Sequence, residues 1–180
     1  ESTNYMDGSV EQDWENITLE HLALGDASGN FVYDATTVHP SFQEPFTEVN
    51  LYYHLNDAMT YFVDVHEMVF ARKLTGIANY GQLNQQNEIE PYENAFFTPV
   101  TLGEVVIALG EGATVDYGYD GDVIRHEFGH FVVDSIAGLG YIEDYFDEWG
   151  RSQMPGGIHE GMADYWSSTQ MDDSVTGEYA

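Results

Sequence analysis

Two histidines and a glutamate in the segment DVIRHEFGHFVVD (122–134) carry the clearest chemistry in the sequence. His126 and His130 are four residues apart, and Glu127 directly follows the first of them. On a helix, residues i and i+4 lie on one face, so both imidazoles can point at a single metal ion. Glu127 is rotated by about 100° from His126, which lets it reach a water bound to that metal. The spacing therefore predicts a catalytic zinc site with two histidine ligands and a general base.

The residues around the two histidines indicate that this helix is buried. Apolar side chains occupy much of its circumference: Val123, Ile124, Phe128, Phe131, Val132 and Val133. This pattern disfavours the alternative, a pair of histidines on a solvated helix surface. Buried imidazoles beside a buried carboxylate carry a desolvation cost that a divalent cation offsets. Because the chain has no cysteine, His, Asp and Glu must supply the ligands.

A third protein ligand is expected downstream, in the segment GGIHEGMADYW (156–166). Glu160 and Asp164 are again four residues apart, so one helical face can present both. Glu160 would complete the ligand set, and Asp164 would accept the second ring N–H of a ligand histidine and fix its tautomer. Two alternatives stay open at this point: Asp164 as the ligand itself, or His159 as a third imidazole, although His159 is rotated by about 100° from Glu160.

Helices and short β segments must position these residues, which predicts an α+β fold. The strongest amphipathic pattern predicts a long helix over Thr47–Leu74. Two further histidines lie on or near it, His54 and His66, where packing or solvation is a commoner role than metal binding. The other predicted elements are a strand at Asn30–Tyr33, strands at 94–99 and 103–110 separated at Pro99, the zinc helix Gly121–Ala137 stopped by Gly138, and a last helix Ile158–Gln170.

The charge of the chain excludes two classes of partner. It has 32 Asp and Glu against 4 Lys and Arg, for a formal net charge of −28. Such a surface repels nucleic acid and anionic membranes. No run of about 18 apolar residues is present, so no transmembrane helix is predicted. Charge of this size is tolerated where cations screen it, which favours high salt, bound Ca²⁺ or both.

The two metal-site segments together resemble the gluzincin metallopeptidases, of the thermolysin and fungalysin-like type. DVIRHEFGH matches the zinc helix of that family, and GGIHEGMADYW matches the Glu-x-x-x-Asp helix that completes the site. ENAFFTP resembles the family's edge strand, VVIALGEG the strand and loop that follow it, and EVNLYYHLNDAMTYF the aromatic-rich helix that precedes them. The similarity runs in order over residues 47–170, whereas residues 1–46 match no pattern of the family.

The resemblance implies further roles for individual residues. Asn94 and Ala95 would bind the backbone of a peptide substrate at the edge strand, and Asp122 falls where thermolysin-like members have a calcium-binding aspartate. The stretch between His130 and Glu160 would carry an assisting tyrosine, for which Tyr141 and Tyr145 are candidates. The implied fold is a zincin-like catalytic half with a small mixed sheet, a long helix before it and the zinc-binding helix. A helical second half would come from further chain or from a companion chain.

These patterns predict a zinc-dependent endopeptidase in which Glu127 is the general base for a zinc-activated water. Its cofactor would be one Zn²⁺, with Ca²⁺ as a second candidate, and its partner a peptide or protein substrate. Residues 1–46 are expected to form an irregular segment of unassigned role, and 47–180 the zinc-binding subdomain. The chain starts at Glu1 without a signal peptide, as a processed or truncated secreted chain would.

Two alternatives belong to other functional classes. One is a metallopeptidase-like module that keeps its zinc for a structural or binding role and has no activity of its own. The other is an acidic calcium-dependent adhesive module, for which DYGYDGD (116–122) supplies carboxylates but not the spacing of an EF-hand. Glu127 and Asp164 favour the enzyme, since a purely structural zinc needs no general base.

Overall fold

A computed structural model describes residues 20–84, 86, 88–101, 104–139, 145–152 and 154–177 of the chain. Within these ranges the fold is α+β, with three α-helices, a four-stranded mixed sheet and a small two-stranded sheet. In chain order the elements are α1 Pro45–His66, β1 Lys73–Leu83, β2 Ile89–Pro91, β3 Ala95–Thr101, β4 Glu104–Gly110, α2 Gly121–Ala137, β5 Tyr145–Asp147, β6 Gly150–Ser152 and α3 Met154–Met171. None of the described helices is long and apolar enough to cross a membrane.

Helix α1 is shorter than its apolar pattern predicts, because it ends at His66 instead of Leu74. The Glu44 side chain caps its start by accepting a hydrogen bond from the Phe46 N–H at 2.9 Å. At its end Glu67 adopts a left-handed conformation, with φ 53°, and its N–H bonds the Phe62 carbonyl. Apolar residues after this point, including Phe70, still pack on the core outside any helix, which explains why the periodicity seemed to continue.

The mixed sheet has the order β2-β1-β4-β3, with β1 parallel to β4 and the other pairs antiparallel. Strand β4 is central and apolar, as its near-continuous run of hydrophobic residues predicts for a strand covered on both faces. Strand β3 lies at the edge and continues through Pro99 to Thr101, so proline does not separate the segments as predicted. Pro99 lacks an N–H to donate and is tolerated because the strand is at the edge.

Helix α2 has the predicted bounds. Asp120 caps its start by accepting hydrogen bonds from the backbone N–H groups of Asp122 and Val123. Gly138 ends it in a left-handed conformation, with φ 54°, which costs glycine little because it has no Cβ. Helix α3 begins four residues before the predicted Ile158 and ends one residue beyond Gln170.

The core lies where α2 meets α1, α3 and strands β3 and β4. Its largest fully buried apolar side chains are Phe62, Phe128, Phe131, Ile107, Leu109, Ile124, Val105 and Val132. Helices α2 and α3 approach closely at Gly129, where a Cβ would lie 2.7 Å from the Ala163 Cα. This approach brings the histidines of α2 next to the carboxylates of α3.

The segment before α1 has no strand in its described part, so the strand predicted at Asn30–Tyr33 is wrong. Phe31 and Val32 are exposed. Their β propensity depends on packing against neighbouring strands, and no described strand lies beside them. Tyr33 holds this loop through hydrogen bonds between its hydroxyl and the Leu24 backbone. The domain division at residue 46 stays a prediction.

Candidate metal centre

Helix α2 presents His126 and His130 on one face, one turn apart. Their ring centroids lie 4.7 Å apart and the ring planes are nearly perpendicular, at 88°. His130 is buried and His126 is half-buried. The helix is regular through both positions because strong caps fix its two ends and the intervening residues pack in the core.

Glu160 on α3 completes a group of three possible ligands. Its Oε2 lies 3.3 Å from His126 Nε2 and 3.5 Å from His130 Nε2. Their three candidate ligand atoms all lie within 4.8 Å of one another. Among the described residues, these three side chains form the group that could hold a metal ion, the three-ligand cluster. Two ligands bound at zinc distances with tetrahedral angles are about 3.4 Å apart. The two separations from Glu160 are close to this value, and two imidazoles with one carboxylate are a donor set that a zinc ion can use.

Asp164 lies behind His126, as the sequence predicts for a residue that orients a ligand. Its Oδ1 is 2.8 Å from His126 Nδ1, the ring nitrogen that does not face Glu160. A carboxylate at this nitrogen accepts its N–H and leaves the lone pair of Nε2 free for a metal. This geometry is that of an orienting partner and differs from that of a third ligand.

His159 lies behind His130 in the same way, a contact that the sequence did not predict, since His159 was considered only as an alternative ligand. It is 3% exposed, and its Nδ1 is 2.6 Å from His130 Nδ1. The ring therefore contacts the far side of the His130 imidazole, away from the Nε2 that faces Glu160. The rotation from Glu160 correctly predicted that His159 would point elsewhere, but its contact depends on how α2 and α3 pack.

Glu127 is buried beside the three-ligand cluster, with 6% exposure. Burial raises the pKa of its carboxyl to about 8, and the negative charge of Glu160 acts in the same direction. A hydrogen bond with the Phe97 backbone on β3 opposes this shift. Glu127 thus connects α2 to the edge strand, and its surroundings favour the protonated form of its carboxyl.

The surroundings of His130 and of His159 behind it favour neutral imidazoles. Burial lowers the pKa of His130 to about 3, helped by the neighbouring His126 and His159 rings. Burial also lowers the pKa of His159. A neutral imidazole offers the lone pair that metal binding requires, so the surroundings of His130 favour the form that can act as a ligand.

A cleft of about 250 Å³ lies between β3 and the side chains of the three-ligand cluster, Glu127 and His159. Its wall is formed by Tyr92, Asn94, Ala95, Phe96 and Phe97, and its floor by the side chains of α2 and α3 already described. Among the described strands β3 pairs only with β4, so no described strand lies at its other edge. Asn94 and Ala95, predicted to bind substrate, therefore lie beside Glu127 and the cluster.

Tyr92 is a cleft residue that the sequence patterns did not single out. Burial raises its pKa, and the nearby Glu127 charge adds to this effect, whereas a hydrogen bond with the Asn94 side chain opposes it. Its place two residues before Asn94 was the available signal. Of the predicted candidates for an assisting tyrosine, Tyr141 and the side chain of Tyr145 lie outside the described residues.

The remaining candidate residues lie apart from the three-ligand cluster. His54 accepts a hydrogen bond from Arg125 Nε at 3.3 Å, and His66 packs against Tyr61 and Trp166. Asp122 is buried in the first turn of α2, and its predicted role in calcium binding stays a prediction. No protein-family model, curated protein or solved structure matches the chain significantly.

Proposed function

We propose that this chain is the zinc-binding catalytic part of a gluzincin-type metallopeptidase that hydrolyses peptide bonds. The observation that carries the proposal is the meeting of His126, His130 and Glu160 within 4.8 Å, with Glu127 buried next to them. Two histidines and a glutamate are the ligand set of catalytic zinc sites that keep one position open for water.

Each residue around the cluster has a role in this proposal. His126, His130 and Glu160 hold the ion, while Asp164 accepts the Nδ1 proton of His126. Bound zinc supplies Lewis-acid chemistry, polarising a carbonyl and lowering the pKa of water to about 7. The buried position of His130 and Glu127 limits competing solvent, which strengthens electrostatic interactions in the cleft.

In the proposed reaction, Glu127 transfers a proton from the attacking water to the leaving group. Burial raises the pKa of its carboxyl, whereas a divalent cation beside it would favour the carboxylate, the form that can act as a base. In that form Glu127 takes a proton from the attacking water and delivers it to the nitrogen of the leaving amine as the C–N bond breaks. A purely structural metal site does not need a buried carboxyl beside its ligands, whereas a catalytic site needs one as a general base.

Strand β3 is the proposed binding surface for the substrate. Its outer edge can pair with an extended peptide, so the backbone of Asn94 and Ala95 would hold the peptide beside Glu127. Main-chain pairing tolerates many side-chain sequences, as an endopeptidase requires. The acidic composition suits a highly soluble secreted protein, and we include an extracellular location in the proposal.

The Glu127→Gln variant tests this function. The amide keeps the size of the side chain but cannot take up a proton, so cleavage of unfolded casein in buffered zinc should fall by about 10²- to 10⁴-fold. Zinc content should stay at the wild-type level. Wild-type cleavage by Glu127→Gln would contradict the mechanism, whereas zinc binding without cleavage in either protein would favour the inactive structural or binding module.

A further inference from the structure

His159 and His130 meet through the same atom of each ring. The two Nδ1 atoms are 2.6 Å apart, the ring centroids are 4.7 Å apart and the ring planes are tilted by 39°. Both side chains are buried, His159 more completely. Two ring nitrogens at this distance need one proton between them, so one imidazole donates and the other accepts.

The direction of this hydrogen bond follows if His130 is a metal ligand, and so the inference rests on the proposed function. His130 Nε2 faces Glu160 at 3.5 Å and must present a lone pair there, which leaves the ring proton on Nδ1. We propose that His159 is a positioning residue, which accepts that proton's hydrogen bond and thereby fixes the tautomer and the ring orientation of His130.

The packing of α2 against α3 makes this contact possible. Gly129 directly precedes His130, and its missing side chain lets α2 approach Ala163. His159 is one turn before Ala163 on α3, so the same approach presses its ring against His130. The ring contact is thus built into the helix interface and involves no exposed loop.

The two histidine ligands are supported by partners of different charge. His126 Nδ1 bonds the carboxylate of Asp164, whose side chain is 62% exposed and therefore solvated. His130 Nδ1 faces a buried ring instead. A second carboxylate in that position would be buried next to Glu127 and Glu160, and burial of an unpaired charge is costly. A neutral imidazole accepts the hydrogen bond without adding negative charge.

Nuclear magnetic resonance of the zinc-free, ¹⁵N-labelled chain tests the hydrogen bond directly. We expect long-range ¹H–¹⁵N correlations that show His130 protonated at Nδ1, and a scalar coupling between the Nδ1 atoms of His130 and His159. A His130 ring protonated at Nε2, with no coupling to His159, would overturn the proposal. This readout needs neither zinc nor activity.

Zinc affinity of two variants, measured by competition with a chelator, tests the consequence. His159→Phe keeps a ring but has no acceptor, and should weaken zinc binding by about 10- to 100-fold. His159→Asn offers an acceptor oxygen and should bind within a few-fold of the wild type. Wild-type affinity in His159→Phe would overturn the proposal.

Ser167→Ala is the matched control for loss of a buried α2–α3 contact. Ser167 is fully buried on α3 and donates a hydrogen bond to the Asp122 carbonyl of α2 at 2.7 Å. Its removal should lower stability and leave zinc affinity unchanged. Failure of the proposed function would give a different result, because the wild-type chain would then bind no zinc. The scalar coupling between the two rings would still show whether His159 accepts a hydrogen bond from His130.

Discussion

Glu127 and Asp116 are two carboxyl groups whose pKa burial raises toward neutrality, but only one of them lies at a candidate site. The pKa of Asp116 rises to about 7, mainly through burial and secondarily through the charges of Glu111 and Glu44. Its Oδ1 accepts a hydrogen bond from the Gly118 N–H at 2.7 Å and caps the short 3-10 helix Tyr117–Tyr119. Asp116 is therefore a structural cap, and the contacts of Glu127, more than its pKa, mark the catalytic candidate.

Asp116 should make the chain less stable as the pH rises. Its folded pKa of about 7 lies above its usual 3.8, so its contribution is fully present below about pH 4 and is lost as the pH rises through 7. Asp116→Asn keeps the capping oxygen and removes the ionisation. We expect the variant to gain stability over the wild type as the pH rises from 4 to 7, by about 1 kcal/mol per pH unit, in urea unfolding at each pH.

Asp64→Asn is the control for this prediction, because it removes one negative charge from an exposed position on α1. It should follow the pH dependence of the wild type closely. Identical pH profiles for Asp116→Asn and Asp64→Asn would show that Asp116 does not resist ionisation in the folded chain.

At the scale of single residues, spacing predicted which three candidate ligands lie close together, and it predicted their supporting contacts only in part. The i, i+4 pairs of two helices place three possible ligand atoms and Asp164 near one point, because helix geometry alone determines which side chains share a face. His159 and Tyr92 escaped prediction since their contacts arise from the packing of one element on another. No local pattern specifies a ring-to-ring contact between residues 29 positions apart.

Helices and strands could likewise be predicted only where local sequence signals determine them. The bounds of α2 were predictable because Gly138 and the apolar pattern act locally. Strand β1, KLTGIANYGQL, was not predicted because its sequence mixes polar residues and two glycines. Its pairing with β4 stabilises the strand although its own sequence pattern does not indicate one. The end of α1 was misplaced because Phe70 is buried by the tertiary structure without being helical.

At the scale of elements, the α2–α3 contact at Gly129 should control both stability and metal binding. A Cβ in Gly129→Ala would lie 2.7 Å from the Ala163 Cα and 3.1 Å from its Cβ, so the helices must separate. Overpacking of this kind costs about 1–3 kcal/mol. We expect a lower unfolding midpoint and weaker zinc binding, because α2 carries two of the proposed ligands and α3 the third.

Gly161→Ala gives the matched comparison on α3. A Cβ at Gly161 meets nothing within 4 Å, and alanine is favoured over glycine inside a helix by about 0.8–1.0 kcal/mol. This variant should be slightly more stable than the wild type and bind zinc equally. Equal effects of the two substitutions would contradict the importance of the close helix approach.

At the scale of the whole molecule, the net charge of −28 should dominate the response to salt. The chain has only 4 basic residues, and the described ones largely form ion pairs, such as Arg72 with Asp134 and Arg125 with Asp57. The excess carboxylates repel one another across the surface. Folding concentrates this charge, so screening should favour the folded state.

Raising NaCl from 0.01 M to 1 M shortens the screening length from about 30 Å to about 3 Å, and we expect the thermal unfolding midpoint to rise with it. KCl at equal ionic strength should have the same effect. A larger rise with CaCl₂ at matched ionic strength would indicate bound calcium, the role predicted for Asp122. A midpoint that does not change with NaCl would show that self-repulsion is unimportant.

The most direct test of the catalytic metal site is the zinc content of the chain after equilibrium dialysis against buffered zinc. We predict one zinc per chain for the wild type and for His66→Ala, which removes a histidine away from the cluster. His130→Ala and Glu160→Ala should retain little or none. A wild type without zinc, or full zinc retention when His130 or Glu160 is replaced, would contradict the account.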